Sequence, residues 1–273
     1  MKKLYAMLTN HCNLSCKHCT IKDAPECYNK NNFLNHIKEF SGHIILFGGE
    51  PTLYEDRLFE VIDVIKEYGD NKRIGITTNL IKLNKRLIDF YSTIKGLCTS
   101  WNYSRFTDYQ YKIWLNNIDV LEFYNIHATV LITLTNDLIS KPVDEFIQII
   151  SKWNNKVIEN IKFEQCIDNS LGKDHYDKTD DWLCELFMKR DKISIDIDIF
   201  DKNNKWYFNC NDIYSLTPDG VIHNCCPNGL YNNRRVPNEC LTCSISNKCR
   251  PCRLQQYCTR PIKLKYLIER EDL

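Results

Sequence analysis

Short apolar runs alternate with longer amphipathic stretches along the first 200 residues of the chain. Runs rich in β-branched and aromatic residues predict six β-strands, at 4–8, 43–47, 73–79, 96–101, 127–134 and 160–167. The stretches between them predict helices near 29–40, 55–68, 83–93, 107–124 and 142–153. In the second of these helices, apolar residues recur at helical spacing, and Gly69 suits its C-terminal end.

Regular alternation of strands and helices favours parallel strands joined by right-handed crossovers. Six such units predict an α/β fold, a partial and open (β/α)6 TIM-like barrel over residues 1–203. In barrels of this kind, functional residues lie at the C-terminal ends of the strands.

The pattern changes after residue 203. The segment "WYFNCNDIYSLTPDGVIHNCC" (206–226) predicts a hairpin that turns at Pro218-Asp219-Gly220. The remainder is rich in cysteine and poor in long apolar runs, so we expect it to need bound metal to hold its shape. We therefore predict a second, small domain over residues 204–273.

Composition excludes several classes of protein. Lys and Arg number 36 and Asp and Glu 35, giving a net charge of +1, so a nucleic-acid partner is not expected. No apolar run approaches the roughly 20 residues that span a bilayer. The apolar part of "MKKLYAMLTNHC" is too short for a secretory signal. We expect a cytoplasmic protein without a membrane partner.

Fifteen cysteines are the unusual feature of the composition. Without an export signal, metal or redox chemistry is a better explanation than disulfides. Three cysteines lie within residues 12–19 and eight within 210–258. The scattered ones are typical of small buried apolar residues: Cys27, Cys98, Cys166 and Cys184.

Cys12, Cys16 and Cys19 have the spacing C-x3-C-x2-C directly after the first predicted strand. Three thiolates can hold three corners of a cubane iron–sulfur cluster and leave one iron open. A zinc site completed by His11 or His18 is an alternative. Chance spacing among fifteen cysteines is another.

The segment "GGEP" (48–51) follows the second predicted strand. Two glycines allow the backbone to come close to a bound ligand, although alone they are more typical of a turn that ends a strand. The three-cysteine segment and this segment are predicted to lie at the same end of the barrel.

In these two motifs the chain resembles the radical S-adenosylmethionine (SAM) superfamily. The resemblance implies that Cys12, Cys16 and Cys19 bind a [4Fe-4S] cluster whose open iron chelates the amino and carboxylate groups of SAM. It implies that one electron cleaves SAM to a 5′-deoxyadenosyl radical, which removes a hydrogen atom from the substrate. It further implies a set of cofactor-binding residues: Gly48, Gly49, Glu50 and Pro51 for the methionine part, and Thr78, Asn79, Ser100 and Asn102 for ribose and methionine.

Two positions depart from the family's pattern. Members often have Gly after the Asn of the third strand and Asp at the fourth, where this chain has Leu80 and Asn102. The roles carried over to Asn79 and Asn102 are therefore weaker.

The second group of cysteines has two parts. Cys210, Gly220 and Cys225 fit C-x9-G-x4-C, and residues 240–252 fit C-x2-C-x5-C-x2-C. A zinc ribbon is one interpretation of the second part.

The whole region from 205 to 260 resembles the SPASM extension of radical SAM enzymes, with one spacing a residue short. The resemblance implies two auxiliary [4Fe-4S] clusters, an inner one on Cys210, Cys225 and Cys252 and an outer one on Cys240, Cys243, Cys249 and Cys258.

The inner site then has three obvious thiols. Cys226 is either its fourth ligand, or one iron stays open to substrate, solvent or His223. Adjacent side chains in an extended segment point in opposite directions, which favours a Cys226 that does not bind this cluster.

A free Cys226 suggests a hydrogen-atom donor. In sulfatase-maturing relatives an Asp at this position is thought to act as a base, whereas radical SAM epimerases use a cysteine as donor. Cys166, at the end of the sixth predicted strand, is a weaker candidate. A ligand or packing role is the alternative for both thiols.

The resemblance implies modification of a peptide or protein by epimerisation, crosslinking or oxidation, with a flavodoxin or ferredoxin as electron donor. The cysteine loop begins at residue 12, which favours either a separate leader-recognition protein or a small-molecule substrate such as a sugar, aminocyclitol or nucleotide. A non-enzymatic iron–sulfur or zinc module is a remote alternative, because a simple carrier needs no SAM pocket.

Overall fold

The computed structural model describes residues 2–19, 21, 27–69, 73–165, 173–200, 213–223, 263–264 and 267–268. Within this part of the chain one sheet contains nine strands. They are β1 (Lys3–Met7), β2 (His43–Phe47), β3 (Ile74–Thr78), β4 (Gly96–Trp101), β5 (Ala128–Leu134), β6 (Ile158–Gln165), β7 (Asp196–Ile197), β8 (Ile213–Leu216) and β9 (Ile222–His223).

The spatial order of the sheet is β7-β6-β5-β4-β3-β2-β1-β8-β9. All neighbours pair in parallel except β8 and β9, which are antiparallel. The six predicted strands are confirmed as β1 to β6, and the sheet is open, with β7 and β9 at its two ends. This open sheet is consistent with the predicted partial barrel. It contains more strands than expected, because β7 pairs with β6 and β8 pairs with β1.

Seven α-helices lie among the described residues: α1 (Lys30–Glu39), α2 (Glu55–Tyr68), α3 (Lys85–Tyr91), α4 (Asp108–Phe123), α5 (Asn136–Ile139), α6 (Val143–Ile150) and α7 (Lys173–Met188). The five predicted helices are confirmed as α1, α2, α3, α4 and α6. The sequence pattern missed α7 because His175, Thr179 and Asp180 interrupt the apolar positions on its buried face. No helix in the described part of the chain is long and apolar enough to cross a membrane.

The two faces of the sheet differ in burial. In β5, residues alternate between buried and partly accessible, so one face packs and the other stays partly open. On β4, the buried Trp101 packs edge-to-face against Trp153, next to α6, and Thr99 accepts a hydrogen bond from Trp114 of α4. The helices therefore cover the outer face, while the opposite face lines the inside of the open barrel.

The predicted hairpin is present. β8 and β9 are joined by a turn at 217–220, in which Gly220 has φ +81° and approaches Asn32 of α1. However, β8 also pairs in parallel with β1, so the hairpin begins inside the barrel sheet. The domain division at residue 203 stays a prediction, because 201–212 and 224–262 lie outside the described residues.

Asp180 anchors the chain near its C-terminus to α7. Its buried carboxylate accepts hydrogen bonds from the backbone N–H groups of Lys263 (2.7 Å) and Leu264 (3.0 Å). Leu264 is fully buried and belongs to the main apolar core. The two carboxylate oxygens therefore serve as the hydrogen-bond acceptors of these two backbone N–H groups.

We expect Asp180→Ala to lower the free energy of unfolding by about 1–3 kcal/mol, because two backbone N–H groups lose their acceptor. Its neighbour Asp181 is a matched control, since it pairs only with the exposed Nζ of Lys263 in the described residues. Asp181→Ala should change the unfolding free energy by less than about 1 kcal/mol. Urea unfolding measures both; equal losses would contradict the anchoring role.

Candidate functional site

The three cysteines lie on the loop that directly follows β1, at the C-terminal edge of the sheet, as the sequence predicts. Cys12, Cys16 and Cys19 are all partly exposed and form no disulfide. The Cys19 N–H donates to the Cys16 carbonyl at 3.2 Å, which closes a turn around the last two cysteines. The thiols are thus presented together on one edge of the fold.

The GGEP segment lies against the backbone of this loop. Leu8 N donates to Phe47 O (2.8 Å), Gly49 N to Thr9 O (2.7 Å) and Glu50 N to His11 O (2.8 Å). The pairing of β1 with β2 therefore continues past both strand ends. It holds residues 8–11, immediately before Cys12, in a fixed position.

Close backbone contact explains both glycines. Gly48 has φ +148°, and a Cβ there would lie 2.3 Å from Thr9 O. A Cβ on Gly49 would lie 2.1 Å from His11 O. Contacts this short exclude any side chain. The sequence suggested that the glycines let a ligand approach; the structure shows that the cysteine loop itself approaches.

Glu50 joins the ends of β2 and β3. Its fully buried carboxylate accepts four hydrogen bonds: at Oε1 from Thr52 N (3.1 Å), Thr52 Oγ1 (2.8 Å) and Thr78 Oγ1 (2.8 Å), and at Oε2 from Asn79 N (2.6 Å). Pro51 begins the short 3-10 helix Pro51–Tyr54. Three predicted cofactor-binding residues, Glu50, Thr78 and Asn79, are thus brought together next to the cysteines.

Ser100 and Asn102, also predicted to bind the cofactor, are buried at the end of β4. Asn102 Nδ2 donates to Thr133 O (2.9 Å) and its Oδ1 accepts from Tyr103 N (3.2 Å). The Asn102 amide therefore joins β4 to β5. The structure brings both residues to the same edge as the cysteines.

Arg105, on the loop after β4, is a cation that the sequence analysis missed. Burial raises the pKa of both Cys12 and Cys16, and the Arg105 guanidinium opposes that rise. Its buried Nε has no hydrogen-bond partner among the residues that the structure describes. Arg105 thus favours the thiolate form of two of the three cysteines, which is the form that binds metal.

In the described part of the chain, neither histidine of the loop forms a three-ligand metal site with the cysteines. His11 Nδ1 hydrogen-bonds Tyr54 Oη. Burial, with a further effect of Arg105, lowers the pKa of His18 to about 4, so its ring is neutral at pH 7, which is the form that can bind a metal. Among the described residues no three His, Cys, Asp or Glu side chains converge on a single ion. Three thiols on one loop are a ligand set that suits a polynuclear cluster, in which each would bind a different iron.

The inner wall of the barrel carries charges that the sequence analysis also missed. In the register of the sheet, Lys162 pairs with Leu131 and Glu164 with Thr133. Desolvation inside the barrel raises the pKa of Glu164, although its side chain is accessible, and Lys162 and Arg105 oppose that rise. The polar alternation in "IENIKFEQ" is the signal that would have found both residues.

Cys98 lies on the same inner face, since it pairs with Thr129 of β5. We expected a buried apolar role for it, and the structure shows a partly buried thiol. Burial raises its pKa to about 11, so it stays protonated at neutral pH.

The remaining predicted site residues lie outside the described part of the chain. They are Cys166, Cys210, Cys225, Cys226, Cys240, Cys243, Cys249, Cys252 and Cys258. Their roles stay predictions.

Residues 7–104 match the family model described as the Radical SAM superfamily. The matched range runs from the end of β1 to just past β4 and contains both the three cysteines and GGEP. The matched range therefore includes the strand ends at which these two motifs meet. The chain matches no curated protein.

Solved structures of SuiB from Streptococcus suis have a similar fold. SuiB bound to S-adenosylmethionine aligns with a TM-score of 0.57 at 13% identity, covering 88% of this chain and 68% of SuiB. A further SuiB structure gives 0.55 at 12%, covering 85% and 61%. SuiB bound to its precursor peptide SuiA gives 0.58 at 12%, covering 94% and 70%. At this identity the likeness shows the fold alone.

We expect Gly49→Ala to lower the free energy of unfolding by at least about 2 kcal/mol, because the new Cβ collides with backbone rather than with a flexible side chain. Gly69→Ala is the control, since the nearest atom to its Cβ is the Nη1 of Arg73, at the end of a long side chain. Urea unfolding compares the two. A Gly49→Ala protein as stable as Gly69→Ala would contradict the close contact with the cysteine loop.

Glu50→Gln should lower the free energy of unfolding by about 1–3 kcal/mol. One carboxylate oxygen becomes an NH2 group, which then faces an N–H or O–H donor that it cannot accept from. Glu60→Gln, which removes only a surface ion pair with Lys30, should cost less than about 1 kcal/mol. Thermal or urea unfolding of the two variants gives the difference. If both behaved like the unmodified protein, Glu50 would not be the connection between β2 and β3.

Proposed function

We propose that this protein is a radical SAM enzyme that modifies a peptide. The observation that carries the proposal is the fixed contact between the three-cysteine loop and the GGEP segment at one edge of a parallel sheet. The match of residues 7–104 to the Radical SAM superfamily supports it.

Cys12, Cys16 and Cys19 would hold a [4Fe-4S] cluster. They are three thiols on one partly exposed loop, and the Arg105 guanidinium opposes the rise that burial causes in the pKa of Cys12 and Cys16. When bound, the cluster supplies the electron that cleaves SAM reductively.

The other residues of the site have mainly positioning roles. Both oxygens of Glu50 already accept hydrogen bonds from the protein, so Glu50 fixes Thr78 and Asn79 rather than serving mainly as a SAM ligand. Gly48 and Gly49 keep the loop close to the end of β2. Ser100, at the end of β4, faces the same side as Cys98, and we propose that it contributes to the SAM pocket.

A peptide substrate is favoured by the fold. SuiB, which shares it, has been solved with its precursor peptide SuiA. A flavodoxin or ferredoxin would supply electrons, and a separate protein could supply leader recognition. The two auxiliary clusters of a SPASM-type extension, and Cys226 or Cys166 as hydrogen-atom donor for an epimerisation, remain part of the proposal from the sequence.

A small polar substrate is the second candidate. Lys162 and Glu164 place opposite charges on the accessible inner wall, where the charge of Lys162 acts on Glu164. Barrel interiors filled only by packing use branched apolar residues instead. Such a wall suits a small molecule with charged or hydroxyl groups.

The iron-loaded protein, reduced with dithionite in the absence of oxygen, should convert SAM to 5′-deoxyadenosine and methionine. Cys12→Ala should reduce the product to the level formed without protein, because the cluster loses a ligand. Cys184→Ala, which removes a half-buried thiol on α7, should leave the rate unchanged. Chromatography of the nucleoside product measures all three. No product from the unmodified protein, or an equal rate from Cys12→Ala, would overturn the proposed function.

A further inference from the structure

We propose that the Asn79 carboxamide donates an N–H···S hydrogen bond to Cys12 and thereby raises the reduction potential of the cluster that Cys12 holds. This inference rests on the proposed function. It assigns Asn79 a positioning and tuning role, in place of the direct SAM contact that the sequence resemblance implies.

Asn79 is held firmly where it can do this. It follows β3 directly and is almost completely buried. Its backbone N–H donates to Glu50 Oε2 at 2.6 Å. Its side-chain Nδ2 lies 2.6 Å from Asn13 Oδ1 and 3.8 Å from Cys12 Sγ. A residue from the third strand thus reaches the first cysteine of the loop after the first strand.

The orientation of the Asn79 amide follows from its partners. Ile81 N lies 3.0 Å from Oδ1, and a backbone N–H can only donate. The oxygen of the amide must therefore face Ile81, so the NH2 group faces Asn13 and Cys12. An NH2 group has two hydrogens, and the two partners account for both.

Cys12 Sγ also receives a donor from its own loop, because Leu14 N lies 3.4 Å away. Two N–H groups therefore point at the same sulfur. Donors of this kind stabilise negative charge on a thiolate, and reduction of a cluster adds negative charge that its sulfur ligands share. The reduced cluster gains more from the Asn79 donor than the oxidised one, so the donor makes reduction easier.

The contact also orients the ligand. The loop is fixed to the end of β2 through residues 9 and 11, before Cys12. The Asn79–Asn13 hydrogen bond fixes the residue after Cys12. Cys12 is therefore held from both sides, and partners outside the metal's own ligands commonly determine ligand orientation in this way.

The test is a redox titration of the iron-loaded protein without SAM, followed by EPR. The signal of this cluster is the one missing from the Cys12→Ala/Cys16→Ala/Cys19→Ala variant. Asn79→Ala should shift its midpoint potential to a more negative value, because one donor is lost. Asn79→Asp should shift it further, because a carboxylate replaces the NH2 group while the acceptor for Ile81 N is kept.

Asn117→Ala is the matched control. Asn117 of α4 donates to Leu80 O (2.8 Å), so it supports the same segment after β3 from another side and hydrogen-bonds no sulfur in the described part of the chain. If Asn79 acted only by holding the segment, Asn117→Ala would shift the potential equally. The inference expects Asn117→Ala to leave the potential unchanged.

The outcomes separate the two proposals. A protein without any signal that depends on the three cysteines would overturn the proposed function and this inference with it. A protein with that signal, whose potential is the same in Asn79→Ala or falls equally in Asn117→Ala, would overturn the inference alone. If Asn79→Ala lost iron, Asn79→Asp and Asn79→Ser would supply the potentials, and unchanged values in both would again contradict the inference.

Discussion

The candidate site depends on two backbone hydrogen bonds, from Gly49 N to Thr9 O and from Glu50 N to His11 O. They extend the pairing of β1 and β2 beyond the strands, and they require glycine at 48 and 49 because the backbones meet too closely for a Cβ. From Glu50 the contacts continue through its buried carboxylate to Asn79. The Asn79 amide then returns to the cysteine loop. The ends of three neighbouring strands thus form a closed ring of contacts around Cys12.

This ring explains why a loop with three thiols can be both exposed and ordered. The cysteines of the loop are partly exposed, where a cofactor can reach them, while the loop is hydrogen-bonded to Glu50 and Asn79, which are buried. Net gains of about 0.5–1.5 kcal/mol for each hydrogen bond are modest, but leaving the Glu50 carboxylate unpaired would cost more than any of them contributes. The buried charge therefore makes the arrangement specific as well as stable.

Much of the fold follows from the sequence. The apolar runs of β1 to β6 and the helical spacing in α2 predict their elements, since burial on one face dictates the pattern. The sequence pattern did not predict α7 because Thr179 and Asp180 lie on its buried face. Asp180 is buried because it accepts hydrogen bonds from two N–H groups more than 80 residues away, which no local pattern shows. The pairing of β8 with β1 likewise joins residues that are far apart in the sequence, so no local pattern predicts it.

The sequence predicts where the three cysteines and GGEP lie, but it predicts less of the geometry of the candidate site. The spacing of Cys12, Cys16 and Cys19 and the position of GGEP after a strand point to one edge of the sheet. The roles of Glu50 and Asn79 as connections, and the charges of Arg105 and Glu164, depend on which strand ends become neighbours in space. A sequence gives residue types at these positions, whereas the distances between them come only from the fold.

We infer that Cys12, Cys16 and Cys19 leave one iron of a four-iron cluster available to SAM. Mössbauer spectroscopy of protein loaded with 57Fe, recorded with and without SAM, tests it most directly. We expect SAM to change the spectrum of a single iron of the cluster that these cysteines hold. A spectrum in which SAM alters no iron site, or in which no iron depends on the three cysteines, would contradict it.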